Sequence, residues 1–293
     1  MTLPELISTC AAQLTSAGVS FGHGTTDAYD EAAWLSLWQL GLPLDTDPEA
    51  LDRPLTDDEI QAVQALVDRR ITTRKPAAYL TQEAWLLGVP FYIDERSIVP
   101  RSFIAELLAE GSIDYWLGPH TQRVLDLCTG NGSLAVLAAM TYPDVTVVGA
   151  DLSDDALDVA RINVDRHELA SRISLVHSDG LKDVPGQFDL ILCNPPYVCA
   201  ASMAALPAEF QAEPALALAG GEDGMDFVRQ LFAQAPEHMT SNAVLVLEIG
   251  HERVHFENAF PQLEVIWLET TAGEDQVLLV TSQALRQLQS TSP

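Results

Sequence analysis

Lysine is almost missing from this 293-residue chain. Only Lys75 and Lys182 occur, and all bases together number 15 against 42 acids, a formal net charge of −27. A protein that grips phosphates normally carries a basic stripe or face. The one basic cluster, Arg69, Arg70, Arg74 and Lys75, reads as a solvated helix end. Direct nucleic-acid readout is therefore not expected. Acidity on this scale suits a basic protein partner drawn in at long range, although solubility or a salty host explains it with less machinery. Cysteine is scarce too. Cys10, Cys128, Cys193 and Cys199 form no C-x-x-C pair and have no histidines at zinc spacing. They are expected to be small buried hydrophobes in a reducing compartment, with no metal centre. No apolar run reaches the ~20 residues that a membrane span needs. Met1 to Gly18 contains no basic residue and so lacks a secretory n-region. A cytoplasmic protein without a membrane partner is expected. Internal repeats and low-complexity segments are also absent.

What is present is ample core material, 47% hydrophobic residues, in a length that suggests about two domains. Leu3, Leu6, Ile7, Cys10 and Leu14 recur at helical spacing up to Gly18. A second helix carries Trp34, Leu37 and Trp38 behind Thr26 or Asp27 as cap, and closes at Gly41 and Pro43. The two tryptophans belong to one face and to the core. Residues 43–55 have no period and read as a loop. Thr56-Asp57-Asp58-Glu59 is a capping box, followed by an apolar stripe from Ile60 to Ile71. Residues 1–82 are thus expected to form a small helical unit. Two short apolar runs around Gly88-Val89-Pro90 predict a hairpin linker over 83–98.

From residue 99 the pattern changes. Strand-like runs Arg123–Leu127, Val145–Ala150, Ile173–His177, Phe188–Cys193, Ala243–Ile249, Leu263–Leu268 and Gln276–Thr281 appear, the first ones alternating with helical stretches. That alternation predicts an α/β domain over 99–293, with a mostly parallel sheet covered on both faces. The last two strands are joined only by a turn, so they form a hairpin and the sheet is mixed. Residues 286–293 are expected to fray.

Four strand ends carry polar chemistry. Asp126-Leu127-Cys128-Thr129-Gly130-Asn131-Gly132 follows the first strand, where glycines let a ligand approach the backbone and a helix N-terminus begins. Its spacing is not G-x-G-x-x-G, which disfavours a dinucleotide and a nicotinamide oxidoreductase. Asp151, before Leu152, ends the second strand, placed to accept from ribose hydroxyls. Asp179 ends the third and can accept from an adenine amino group. Asn194-Pro195-Pro196-Tyr197 ends the fourth. Proline fixes φ and cannot extend a ladder, so this turn is stiff. Ligands of open α/β sheets collect at such strand ends.

The glycine loop, Asp151 and the Asn-Pro-Pro-Tyr turn resemble a class I S-adenosylmethionine-dependent methyltransferase that methylates a planar nitrogen. Val99-Pro100-Arg101-Ser102-Phe103-Ile104-Ala105-Glu106-Leu107, Ala219-Gly220-Gly221-Glu222-Asp223-Gly224-Met225-Asp226 and Leu247-Glu248-Ile249-Gly250-His251 resemble the HemK/Prm glutamine methyltransferases. Arg101-Ser102-x-Ile104, Leu42-Pro43-Leu44-Asp45 and Pro76-Ala77-Ala78-Tyr79-Leu80-Thr81 are similar to their ribosomal-protein branch. Phe103 and Asn131 depart from the usual pattern. The resemblance implies a Rossmann-like, seven-stranded mixed sheet with a small N-terminal helical domain that selects the substrate. It implies S-adenosylmethionine as cofactor, held by Asp126, Cys128, Thr129, Gly130, Gly132, Asp151, Leu152, Asp179 and Asn194. It also implies a glutamine side-chain amide of the third protein of the large ribosomal subunit as methyl acceptor, engaged by Asn194, Pro195, Pro196 and Tyr197. Asn194, Pro195 and Tyr197 would be catalytic, while His251 and Glu248 are expected to be structural. The alternatives are a release-factor glutamine methyltransferase, a DNA adenine methyltransferase, or a scaffold that binds cofactor without turnover. The DNA enzyme is disfavoured by the missing basic stripe and by the absence of an inserted target-recognition domain.

Overall fold

The computed structural model describes residues 1–50, 53–119 and 121–291. Helices α1 (Leu3–Ser16), α2 (Ala28–Gln39), α3 (Asp57–Thr73) and α4 (Ala77–Thr81) open the chain. Asp27 caps α2 through the amides of Tyr29 and Asp30, and Thr56 and Glu59 close the capping box of α3. Their apolar faces meet in one cluster that includes Leu3, Leu6, Leu35, Val63 and Val67, with Trp34 and Trp38 packed against it. The 43–55 loop contains a short 3-10 turn, Pro48–Ala50, and residues 51–52 of that expectation lie outside the described residues. Helix α4 was not expected, because five residues are too few to show a period.

A two-stranded hairpin follows, β1 (Glu83–Leu86) and β2 (Val89–Tyr92). Its turn is Leu87-Gly88, both at positive φ, as a tight two-residue hairpin turn requires. Pro90 therefore lies in the strand, opposite Trp85, rather than in the turn. The remaining strands form one sheet: β3 (Arg123–Leu127), β4 (Thr146–Asp151), β5 (Ile173–His177), β6 (Phe188–Cys193), β7 (Met239–Glu248), β8 (Ile266–Thr270) and β9 (Gly273–Thr281). The order is β5-β4-β3-β6-β7-β9-β8, and only β9 and its neighbours pair antiparallel. The seven-stranded mixed sheet expected from the pattern is present. The strand order turns back between β3 and β6, which run parallel, and there Leu127 stands opposite both Ala150 and Cys193. That register aligns the polar strand ends on one rim.

Side-chain alternation divides the core between the sheet faces. Leu190, Leu192 and Val246 pack on one face with α5 (Ile104–Glu110) and α6 (Ser133–Thr141). Ile191, Cys193 and Leu247 face the other side. The helices remaining in chain order are α7 (Asp154–Arg166), α8 (Ala200–Ala205), α9 (Ala208–Gln211), α10 (Asp226–His238), α11 (Arg253–Ala259) and α12 (Ser282–Thr291). Val228, Leu231 and Phe232 of α10 share the second cluster with Ile191 and Leu247. The expected fraying after residue 285 is corrected by α12, with residues 292–293 outside the described set. Leu285 is wholly buried, and Arg286 donates to the carbonyls of Pro236 and Met239 at 2.8 and 3.0 Å. Those long-range bonds have no local sequence signature. Among the described residues no helix is long and apolar enough to cross a membrane.

Candidate active site

The glycine loop leaves β3 with Cys128 at φ +60 and Gly130 at φ +54, so its backbone folds back over the strand ends. Asp126 holds the loop from behind. Its Oδ2 accepts from Thr129 Oγ1 at 2.5 Å and from the Ala135 amide at 2.9 Å. Burial raises the Asp126 carboxyl to about 7 against the pull of those donors. Asn131, a departure from the family pattern, ties the loop sideways. It donates to the Ile98 carbonyl at 2.8 Å and accepts from the Ser133 amide. Asn163 of α7 then joins the Asn131 carbonyl to Tyr92 of the hairpin, donating to both and accepting from the Tyr92 amide. Neither asparagine was singled out for this role, because the partners other than Ser133 lie 32 or more residues away.

In front of the loop lies a cleft enclosing about 800 Å³, part of it open to solvent. Cys128, Gly130, Asp151, Leu152, Asp179, Asn194 and Pro196 line it. Asp126, Thr129 and Gly132 do not; they support the loop and are buried behind it. Asp151 accepts from the amides of Gly130 and Ser153 at 2.8 and 2.9 Å. Burial raises its carboxyl, and these amides partly offset that. The α7 cap is Ser153, so Asp151 is not needed for it. Cys128 is only partly buried and lines the cleft; contact with Cys193 together with burial holds its thiol well above the ordinary range, so it stays protonated.

The Asn194 turn stands between this cleft and a second cavity of about 530 Å³. Pro195, Tyr197, Arg101 and Phe210 line the second cavity, and Asn194 and Ile98 line both. Asn194 Nδ2 donates to the Arg101 carbonyl at 3.5 Å, a long bond that only the nitrogen side of the amide can make. The Tyr197 hydroxyl donates to Glu248 Oε1 at 3.3 Å. Glu248 Oε2 accepts from Ser102 Oγ at 2.6 Å and the Phe103 amide at 3.0 Å. Burial raises the Glu248 carboxyl to about 7 despite these donors. Glycines pack tightly around Tyr197. A Cβ on Gly220 would lie 2.7 Å from its Cα, one on Gly224 2.3 Å from its carbonyl oxygen, and one on Gly250 2.6 Å from its ring. Real Cβ atoms do not approach that closely, so the two distant glycine motifs serve the same turn.

A family model described as the methyltransferase small domain matches residues 105–239. The ribosomal protein uL3 glutamine methyltransferase of Bordetella pertussis is 50% identical over 286 residues, covering 97% of this chain and 96% of that one. The chain belongs to the ribosomal protein uL3 glutamine methyltransferase family. The family member from Burkholderia pseudomallei is 48% identical, covering 97% of this chain and 95% of its own. Among solved structures, the hMettl16 catalytic domain in complex with MAT2A 3′UTR hairpin 1 matches with a TM-score of 0.53. It is 15% identical and covers 78% of this chain and 81% of that one. That likeness shows the fold alone.

One expectation about this methyltransferase's charged side chains needs correction. Arg70 and Arg74 are not a solvated helix end: Arg70 is fully buried, 2.8 Å from Glu31 and 3.3 Å from Glu209, and Arg74 Nε lies 2.8 Å from Glu209. Cys199, Glu252 and His255 bring donor atoms within 4.8 Å of one another, a grouping that linear spacing does not reveal. Within it His255 and Glu252 lie 2.5 Å apart, and the Cys199 thiol contacts Ser202.

Proposed function

We propose that the protein transfers a methyl group from S-adenosylmethionine to the side-chain amide nitrogen of a glutamine in ribosomal protein uL3. The observation that carries the site assignment is the position of Asn194 on the common wall of two cavities. One cavity has the donor set of an adenosyl site. Asp151 and Asp179 can accept from ribose hydroxyls and an exocyclic amine, beside apolar surface from Leu152 and Phe227. Ser97 Oγ also lines it, buried and without a hydrogen-bond partner, and a buried hydroxyl normally has one. The missing side chain at Gly130 keeps the loop backbone accessible; a Cβ there would sit 3.2 Å from that hydroxyl. These groups fit the cofactor.

Bound S-adenosylmethionine supplies a methyl group already activated on a sulfonium. The protein's task is to aim a poor nucleophile, since an amide lone pair is delocalised into its carbonyl. Asn194 Oδ1 and the Pro195 carbonyl accept the two N–H groups of the glutamine amide, which fixes its plane and raises electron density on nitrogen. Tyr197 packs against that plane. Alignment of this kind can contribute up to ~7–11 kcal/mol of barrier reduction. The surplus proton leaves the nitrogen for water afterwards, so no general base is assigned to the chain. The helical unit, residues 1–82, serves as the recognition domain, with 83–98 as the connector to the catalytic domain. The reaction takes place in the cytoplasm, where ribosomal proteins are made.

The deciding experiment incubates the protein with methyl-labelled S-adenosylmethionine, uL3 and a peptide release factor, then maps label by mass spectrometry. Label on one uL3 glutamine is expected. Label on the release factor alone overturns the substrate.

A further inference from the structure

Residues 199–218 leave the Asn194 turn, cross the mouth of the site and return. Their two ends are joined by a parallel bridge between Val198 and Ala219, and Leu206, Phe210, Leu216 and Ala217 wall the cavities between. This strap carries two buried carboxylates, Glu209 and Glu213. Glu209 meets Arg70 and Arg74 of the helical unit. Glu213 lies 3.3 Å from His23 Nε2 and receives both Nη atoms of Arg101 at 2.6 and 2.5 Å. It also accepts from the Val99 amide at 2.9 Å. Glu213 thereby grips the 99–101 segment at both ends, by backbone and by side chain. Between those grips is the Arg101 carbonyl, the hydrogen-bond partner of Asn194 Nδ2.

We propose that Glu213 is a positioning residue for methyl transfer, acting through Arg101 to hold the Asn194 amide nitrogen against the Arg101 carbonyl and leave its oxygen to accept from the substrate. This rests on the reading of Asn194 given above. An inverted amide would present N–H groups to the N–H groups of glutamine, and no productive pairing would form. The fork geometry matters: a guanidinium bound bidentately is fixed in plane, whereas an ammonium is a point charge free to pivot. Phe210, under the Arg101 guanidinium at 5.6 Å, completes the seat.

The test measures kcat, the KM for uL3 and the Kd for S-adenosylmethionine in Glu213→Gln, Arg101→Lys and Asn194→Ala. Both of the first two variants should lose about 10²-fold in kcat, the size of effect an ångström of misplacement produces. Their cofactor Kd and uL3 KM should stay near wild type, which a general loss of structure would not permit. Wild-type kcat in Glu213→Gln overturns the proposal, and so does a fall in kcat matched by an equal loss of cofactor affinity. If Glu213→Gln does not fold, Arg101→Lys decides by the same two criteria. Asn194→Ala separates the layers: turnover there defeats the reading of Asn194 itself, whereas an inactive Asn194→Ala beside a fully active Glu213→Gln defeats only the role of Glu213.

Discussion

Asn194 and Asp151 lie on the same cleft, yet in the proposed mechanism they answer to different molecules. There Asn194 offers its Oδ1 as an acceptor to the substrate nitrogen, so Asn194→Ala is expected to abolish methyl transfer while cofactor binding survives. Asp151 is assigned there to the cofactor, and it also clamps the Gly130 and Ser153 amides. Asp151→Ala should therefore weaken S-adenosylmethionine by about 10- to 100-fold, the worth of one or two charge-assisted hydrogen bonds; calorimetry giving an unchanged Kd would rule the contact out. Glu248 makes a separate prediction about pH. Its folded-state pKa, about 7, lies above the usual 4.5, so the protonated form is favoured by folding. The stability it contributes is complete below pH 4.5 and is lost as pH rises through 7. Asp126 behaves alike, raised from 3.8 to about 7. The carboxyls held down to about 2, such as Glu213, act only in the acid range below. Urea midpoints should fall between about pH 5 and about pH 8, and Glu248→Gln should flatten part of that fall. An unaltered slope in the variant would show that Glu248 does not titrate in this window.

At the scale of elements, what was legible depended on range. The β6 run and its Asn-Pro-Pro-Tyr end could be read directly, because period and proline act over a few residues. The same holds for the capping box at Thr56 and the glycine loop. The helices α4, α5, α8, α9, α11 and α12 escaped notice, being short or held by contacts far along the chain. The strap was illegible for the second reason. Arg70 looked solvated beside Arg69 and Arg74, and its partners Glu31 and Glu209 stand 39 and 139 residues away. Of the residues read as cofactor-binding, those that end a strand and face outward, such as Asp151, line the cleft. Asp126 and Thr129 lie outside that lining, because the loop turns their side chains inward. The buried network also makes the strap's anchor testable. Arg70→Ala leaves Glu31 without its cation and Glu209 with Arg74 alone. Removing one partner of a buried pair costs about 3–5 kcal/mol, so thermal unfolding should shift down by a margin far larger than for Arg69→Ala. Equal midpoints for the two variants would return Arg70 to the surface role first read from sequence.

At the scale of the whole molecule, the charge of −27 still asks for a purpose. Buried ion pairs account for few of the acids, and most stand on the surface where they build a long-range field. The proposed substrate is a protein that binds ribosomal RNA, and such proteins need basic residues to neutralise phosphates. An acidic enzyme then draws its substrate in before any specific contact forms. This attraction is a property of encounter, so it belongs to KM and to the association rate rather than to the chemical step. It is screened over a Debye length of about 10 Å at 0.1 M salt and about 3 Å at 1 M. Raising salt across that range should increase the KM for uL3 steeply. The kcat at saturating uL3 should change little, because screening acts on encounter rather than on groups already in contact. A short glutamine peptide with no basic residues supplies the internal comparison: its KM should be indifferent to salt. If intact uL3 is equally indifferent, the acidity serves solubility and recognition rests on the helical unit's shape alone.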